Sequence, residues 1–146
     1  MHIFLYCMSI ILLTIIGGVI AMALGWAWHG PLFGKKYMES VGVTMTPELM
    51  QQGKKTMGWY MGIGFLLNLV MAFVFFNLLG AFGAFDVGNS LRTTIIVFIG
   101  FILPMFGGAI IWDGHTPKQQ KLHFAISFGY YLALFVIWGL VFAWLG

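Results

Sequence analysis

Apolar positions in this chain come in long unbroken runs rather than in the alternating or one-faced patterns of a water-soluble protein. Four segments carry no Asp, Glu, Lys or Arg: Met1–Gly34, Thr56–Phe85, Thr93–Trp112 and Leu122–Gly146. A helix needs about 20 apolar residues to cross a hydrocarbon core of roughly 30 Å. In lipid, a segment that bonds its own backbone is the simplest that can span. The pattern predicts an all-α integral membrane four-helix bundle, one domain over residues 1–146, with spans near 3–28, 56–83, 90–112 and 121–145.

The polar positions between the runs predict how the helices begin and end. Gly30 and Pro31 should stop the first helix. After them Leu32, Phe33, Tyr37, Met38 and Val41 alternate with Lys35, Lys36 and Glu39, the pattern of a short amphipathic element on the cytoplasmic surface. Thr46-Pro47-Glu48 reads as cap, first-turn proline and first-turn acid, so helix two should start near Pro47, before it enters lipid. Asn89 or Ser90 is the expected cap of helix three. Pro104 should kink that helix. The loop "DGHTPKQQK" then leads to helix four at about Lys121.

Composition agrees with this picture. Charged residues make up 8% of the chain and mean hydropathy is +0.97, against about 25% charged in a soluble domain. Six of the seven basic residues (Lys35, Lys36, Lys54, Lys55, Lys118, Lys121) fall in the first and third connections. The positive-inside rule assigns those loops to the cytoplasm and both termini to the outside. A bacterial inner (plasma) membrane is the expected location. The lysines are separated pairs beside apolar helices, so nucleic acid is not an expected partner. Ala21-Met22-Ala23 imitates a signal-peptide cleavage site, but the run is too long and lacks a basic start, so it is expected to remain as a helix. Cys7 is the single cysteine, which excludes an intrachain disulfide.

Small residues at every fourth position let helices approach closely in lipid. Gly17, Ala21 and Gly25 on helix one should meet Ala125, Gly129 and Ala133 on helix four. Gly58 and Gly62 on helix two and Gly100 and Gly108 on helix three complete the set, and predict a bundle tightest in its cytoplasmic half. Trp26, Trp28, Trp59 and Trp112 should form an aromatic belt at headgroup depth. The outer half is filled by Phe73, Phe75, Phe76, Phe82 and Phe85 with Trp138, Phe142 and Trp144, a packed core or a pocket for a lipid, quinone or pigment.

No ionisable side chain lies deep in a span, which argues against ion or proton pumping. Asn68 is the most central polar residue and is expected to hydrogen-bond between helices. His29, His115 and His123 gather at the cytoplasmic boundary with Asp113. They are the only metal or haem candidates, and without a paired ligand motif no metal site is expected. No catalytic triad, phosphate-binding loop or carboxylate pair is present, so no catalytic residue is named. Trp26, Trp28, His29, Phe33, Asn68, Tyr130 and Trp138 are the candidates for contact with a ligand or partner.

"GWAWHGPLFGKKYM", "VGVTMTPELM" and "FAISFGYYLALFVIWGLVFAWLG" resemble the domain-of-unknown-function family numbered 1761, small four-helix integral membrane proteins. The likeness covers essentially the whole chain and implies the same fold. The family pattern commonly has tyrosine where this chain has His29, so it implies no shared histidine chemistry. It carries no activity to transfer. The leading expectation is a non-catalytic structural or assembly subunit of a homo-oligomer or larger membrane complex. The alternative is a carrier or channel for a small uncharged or hydrophobic ligand, and an enzyme ranks below both. No cofactor is expected; membrane lipid and other membrane subunits are the expected partners.

Overall fold

The structure, a computed structural model, describes the backbone of residues 2–146 and the side chains from Ser9 onward. Cys7 lies outside the described side chains. The elements are α1 (His2–Ala27), which runs into a π turn at Trp28–Leu32, then α2 (Gly34–Ser40) and α3 (Pro47–Ala81). They continue with α4 (Val87–Val97), a second π turn (Phe98–Ile102), α5 (Leu103–Ile111) and α6 (Pro117–Leu145). Four helical units are long and apolar enough to cross a membrane: Ser9–Leu32, Pro47–Ala81, Val87–Ile111 and Pro117–Leu145. Both termini therefore lie at the end opposite the lysine-bearing connections.

Both prolines inside apolar runs are absorbed by π turns. Helix one does not stop at Gly30-Pro31 as expected. Its wider turn, closed by Phe33 N–H donating to Trp28 O at 2.9 Å, accommodates a residue that has no N–H and crowds the preceding turn. The kink expected at Pro104 takes the same form, with Phe98–Ile102 just before it. Other boundaries follow side-chain caps. Thr46 caps α3 as expected, accepting from Leu49 N–H. Helix three is capped by Asp86 rather than Asn89 or Ser90, the carboxylate accepting from Asn89 N–H at 3.0 Å. Helix four starts at Pro117, earlier than expected, because Thr116 and Gln119 form a reciprocal capping box. Gly83 ends α3 in a left-handed conformation (φ +63), with Ala84 N–H donating to Leu79 O as in a Schellman cap.

The central element is α6, which packs against every other helix, while α3 and α4 barely touch. Contact between α1 and α6 differs from the expected meeting of two small-residue stripes. Ala125 is exposed and Ala133 only half-buried. Large rings instead seat on small residues. Trp138 donates Nε1–H to Gly17 O at 3.0 Å, Tyr130 donates its hydroxyl to Ala21 O at 3.2 Å, and Trp28 donates Nε1–H to Ile126 O at 3.1 Å. Gly25 lies under the Tyr130 ring and Gly129 under Trp28. Helix three joins through Gly139, whose carbonyl accepts from Ser90 Oγ at 2.6 Å.

The tight half of the bundle is the end that holds the termini, which reverses the expected taper. Phe75, Phe76, Phe135, Trp138 and Phe142 are buried there in one interlocked cluster, with centroid separations such as 4.8 Å for Phe75–Phe135. These five rings form the core of that half, and a cavity of about 260 Å³ between α3 and helix three borders them at Phe75 and Phe135. Phe73, Phe82, Phe85 and Trp144 point outward. Gly58, Gly62 and Gly108 toward the lysine-rich end, and Gly100 at mid-span, have nothing within 4 Å of where a Cβ would stand. The rings require sockets, and glycines outside the sockets are left without a neighbour.

These contrasts predict opposite outcomes for glycine replacement. A Cβ at Gly129 would lie 2.8 Å from the Trp28 ring, and one at Gly139 2.5 Å from Thr94 Oγ1. Gly129→Ala and Gly139→Ala should each destabilise the bundle by about 1–3 kcal/mol through overpacking. Gly58→Ala and Gly62→Ala should be neutral or stabilising by about 0.5–1 kcal/mol through helix propensity. Thermal unfolding in detergent distinguishes the two groups.

Candidate functional site

At the lysine-rich end α1 and α3 diverge. Gly18 packs tightly on α3, where a Cβ would stand 2.6 Å from Leu69 and 3.0 Å from Phe65. Beyond it a groove of about 460 Å³ opens, walled by Met22, Trp26, Met57 and Met61 and carrying the polar side chains of His29, Asn68 and Tyr130. Four of the expected contact residues (Trp26, His29, Asn68, Tyr130) thus share one cavity. The other three do not. Trp28 is half-buried among α6 side chains instead of standing in the headgroup belt. Phe33 folds back on its ring, with centroids 4.9 Å apart. Trp138 belongs to the core. Trp26, Trp59 and Trp112 are 72%, 72% and 88% exposed, as a headgroup belt requires.

The polar groups of the groove differ in how far they are committed. The Tyr130 hydroxyl is spent on Ala21 O. His29 Nδ1–H donates to Gly25 O at 3.3 Å, which leaves Nε2 of the neutral ring as an acceptor. Asn68 was expected to bond across helices, yet no described residue gives its amide a hydrogen bond. An unpaired amide at mid-span costs on the order of 1–3 kcal/mol, which any hydrogen-bonding occupant would offset. The other asparagine of α3, Asn77, donates its amide to Phe73 O at 2.8 Å.

His29 and Gly30 also form part of a second cavity of about 650 Å³ at the surface, with Gly34, Lys35, Met38, Glu39 and the Val43–Met45 loop. This cleft exists because α2 is laid against the start of α6. Lys118 Nζ donates to Glu39 Oε1 at 3.1 Å, and Gln119 Nε2 donates to Glu39 O at 3.3 Å.

A third feature ties α2 to the loop before α6. The atoms Asp113 Oδ2, His115 Nδ1 and His123 Nδ1 are shielded from solvent and have only one another, at 3.0 Å for His115 and 3.7 Å for His123. His115 Nε2 meets Val41 O at 3.1 Å. A ring whose two nitrogens face a carboxylate and a carbonyl has two acceptors and no donor opposite, which favours the imidazolium form. The Asp113 hydrogen bond, then the Val41 carbonyl, raise the pKa of His115. Asp113 is lowered, first by the His115 backbone N–H at 3.0 Å.

The boundary histidines come together less directly than expected. Tyr37 stands between His29 and His123, with ring centroids 4.7 Å and 5.7 Å away. Among the described residues no three His, Cys, Asp or Glu side chains form a group able to hold a metal. Tyr37, Lys35, Met57 and Met61 were not singled out from the sequence as site residues. The only available signal for Tyr37 was its place on the apolar face of the amphipathic segment.

The family model described as a protein of unknown function (DUF1761) matches residues 12–143. The chain belongs to that family. No curated protein and no solved structure matches it. Membership assigns no chemistry to the groove.

The Asp113–His115 pair predicts a pH-dependent clasp. The raised His115 contributes stability that is complete below the ordinary imidazole value of 6.5 and is lost as pH rises through its folded value. The lowered Asp113 contributes above the ordinary carboxylate value of 3.8 and is lost as pH falls through its folded value. The thermal-stability difference between wild type and His115→Gln should be largest near pH 5 and shrink toward pH 9. A difference that stays constant over that range would rule out a protonated His115.

Proposed function

We propose that this protein is a non-catalytic integral membrane protein that holds a small hydrophobic ligand in the groove between α1 and α3. The observation that carries the reading is the unpaired Asn68 amide in a methionine-walled cavity that also contains His29 and Tyr130. Methionine side chains adapt to irregular apolar shapes, and a few polar groups then fix orientation. The site offers no nucleophile beside a base and no carboxylate in the groove, so binding is the function its groups support.

A second reading, as an assembly subunit of a homo-oligomer or a larger membrane complex, is favoured by the bare Gly58–Gly62 stripe on α3. Two exposed glycines four residues apart allow a partner helix close approach. Cross-linking through Gly58→Cys with Cys7→Ser tests it: no cross-linked species in native membranes would sink the assembly reading. In either case the lysine-rich end is assigned to the cytoplasm and the termini to the outside of a bacterial inner membrane, on the distribution of lysines. Impermeant labelling of a cysteine added at the C-terminus of intact cells should succeed.

The binding reading predicts that protein purified gently from its native membrane carries a co-purifying lipophile detectable by native mass spectrometry. Met61→Trp should fill the groove and remove it. Asn68→Leu should weaken retention by about two- to tenfold, the worth of one hydrogen bond. Full retention in Met61→Trp would refute the groove as the site.

A further inference from the structure

We infer that the molecule held between α1 and α3 is an anionic phospholipid, with its phosphate in the surface cleft at Lys35 and an acyl chain in the groove. The inference rests on the groove reading above and adds the charge and position of the head.

Continuity is the first argument. His29 and Gly30 line both cavities, so cleft and groove meet at the π turn. From Ala21 to His29 the groove follows eight helical steps, about 12 Å at 1.5 Å per residue. That length suits the upper part of an acyl chain lying along α1. The cleft beyond is large enough for a glycerol-phosphate head.

Charge is the second argument. Three acids stand at this end, Glu39, Glu48 and Asp113, against six lysines. The Glu39 carboxylate is already taken by Lys118. Asp113 is enclosed by His115 and His123. Glu48 lies in the first turn of α3, beside its N-terminus, where a negative charge is favoured by the helix. Lys35 lines the cleft and has no acidic partner among the described residues. Thr44, also at the cleft, adds a hydroxyl that can donate to a phosphate oxygen.

The chain's lysines attract anionic lipid in general, at roughly 1 kcal/mol each near a charged surface. Lys54 and Lys55 supply that attraction from outside the cleft. The cleft differs because its cation sits over an apolar channel that can take the same molecule's tail. A neutral lipid could enter the groove but would leave Lys35 uncompensated.

The test uses the full-length protein in detergent, titrated with phosphatidylglycerol and phosphatidylcholine of identical chains and read by native mass spectrometry. Wild type should retain phosphatidylglycerol at least fivefold better. Lys35→Gln should abolish that preference while leaving phosphatidylcholine retention unchanged, and Lys54→Gln/Lys55→Gln should keep most of it. Met61→Trp should lower retention of both lipids. Inorganic phosphate at millimolar excess should not displace the lipid. A preference lost equally in Lys54→Gln/Lys55→Gln would show surface attraction only and overturn the cleft assignment. Displacement by phosphate alone would make the cleft a free-anion site and also overturn it. If Met61→Trp expels both lipids while Lys35→Gln changes nothing, the groove reading stands and the anionic head falls. If Met61→Trp changes nothing, both fall.

Discussion

Helices in lipid cannot draw on the hydrophobic effect to hold together, so their association depends on close packing and on hydrogen bonds between them. Here both are supplied by one repeated device. A side-chain donor crosses an interface to a backbone carbonyl that a small residue leaves uncovered. Trp138 reaches Gly17, Tyr130 reaches Ala21, and Ser90 reaches Gly139. Each such bond contributes about 0.6–1.7 kcal/mol by comparison with other membrane helices. The rings bring a larger contact area than any small-on-small stripe could. The carbonyls continue to accept their own helical N–H, so the helix gives up nothing to gain a second partner.

This device also explains why the bundle tapers. Rings as large as Trp138 and Phe76 need space on the facing helices, and Gly17 together with Ala72 provides it at the terminal end. Below Gly18 no socket of that kind faces α3. The last ring donors are Tyr130 and Trp28, and both serve the α1–α6 interface. The first turns of α3, over residues 47–63, are almost wholly exposed. The groove is therefore a consequence of how the aromatic residues are distributed.

The two π turns extend the same economy. Each places a proline where a wider turn can tolerate it, and the first turns Phe33 onto Trp28 while bringing His29 to the junction of groove and cleft. The clasp of Asp113 with two histidines ties the end of α2 to the loop before α6 through His115 and the Val41 carbonyl. Local backbone irregularity and a half-buried polar cluster thus lie beside the groove and the cleft. Such departures from regular packing tend to gather at functional places.

Much of this was legible along the chain. Four runs without charge determined four spans, since lipid admits little else, and Thr46-Pro47-Glu48 marked the start of α3 by local chemistry alone. Some small residues, Gly17, Ala21, Gly25 and Gly129 among them, marked true interfaces, because they let a neighbouring ring approach the backbone. The partner of each small residue was not legible. Gly17 and Gly58 are alike in sequence, yet one seats a ring and the other is bare, a difference set by which residue of another helix lies opposite. For the same reason Asn68 was visible as polar and central, but its lack of a partner belongs to the divergence of α1 and α3. Where a ring fills space, and where none does, is decided only when the helices are assembled.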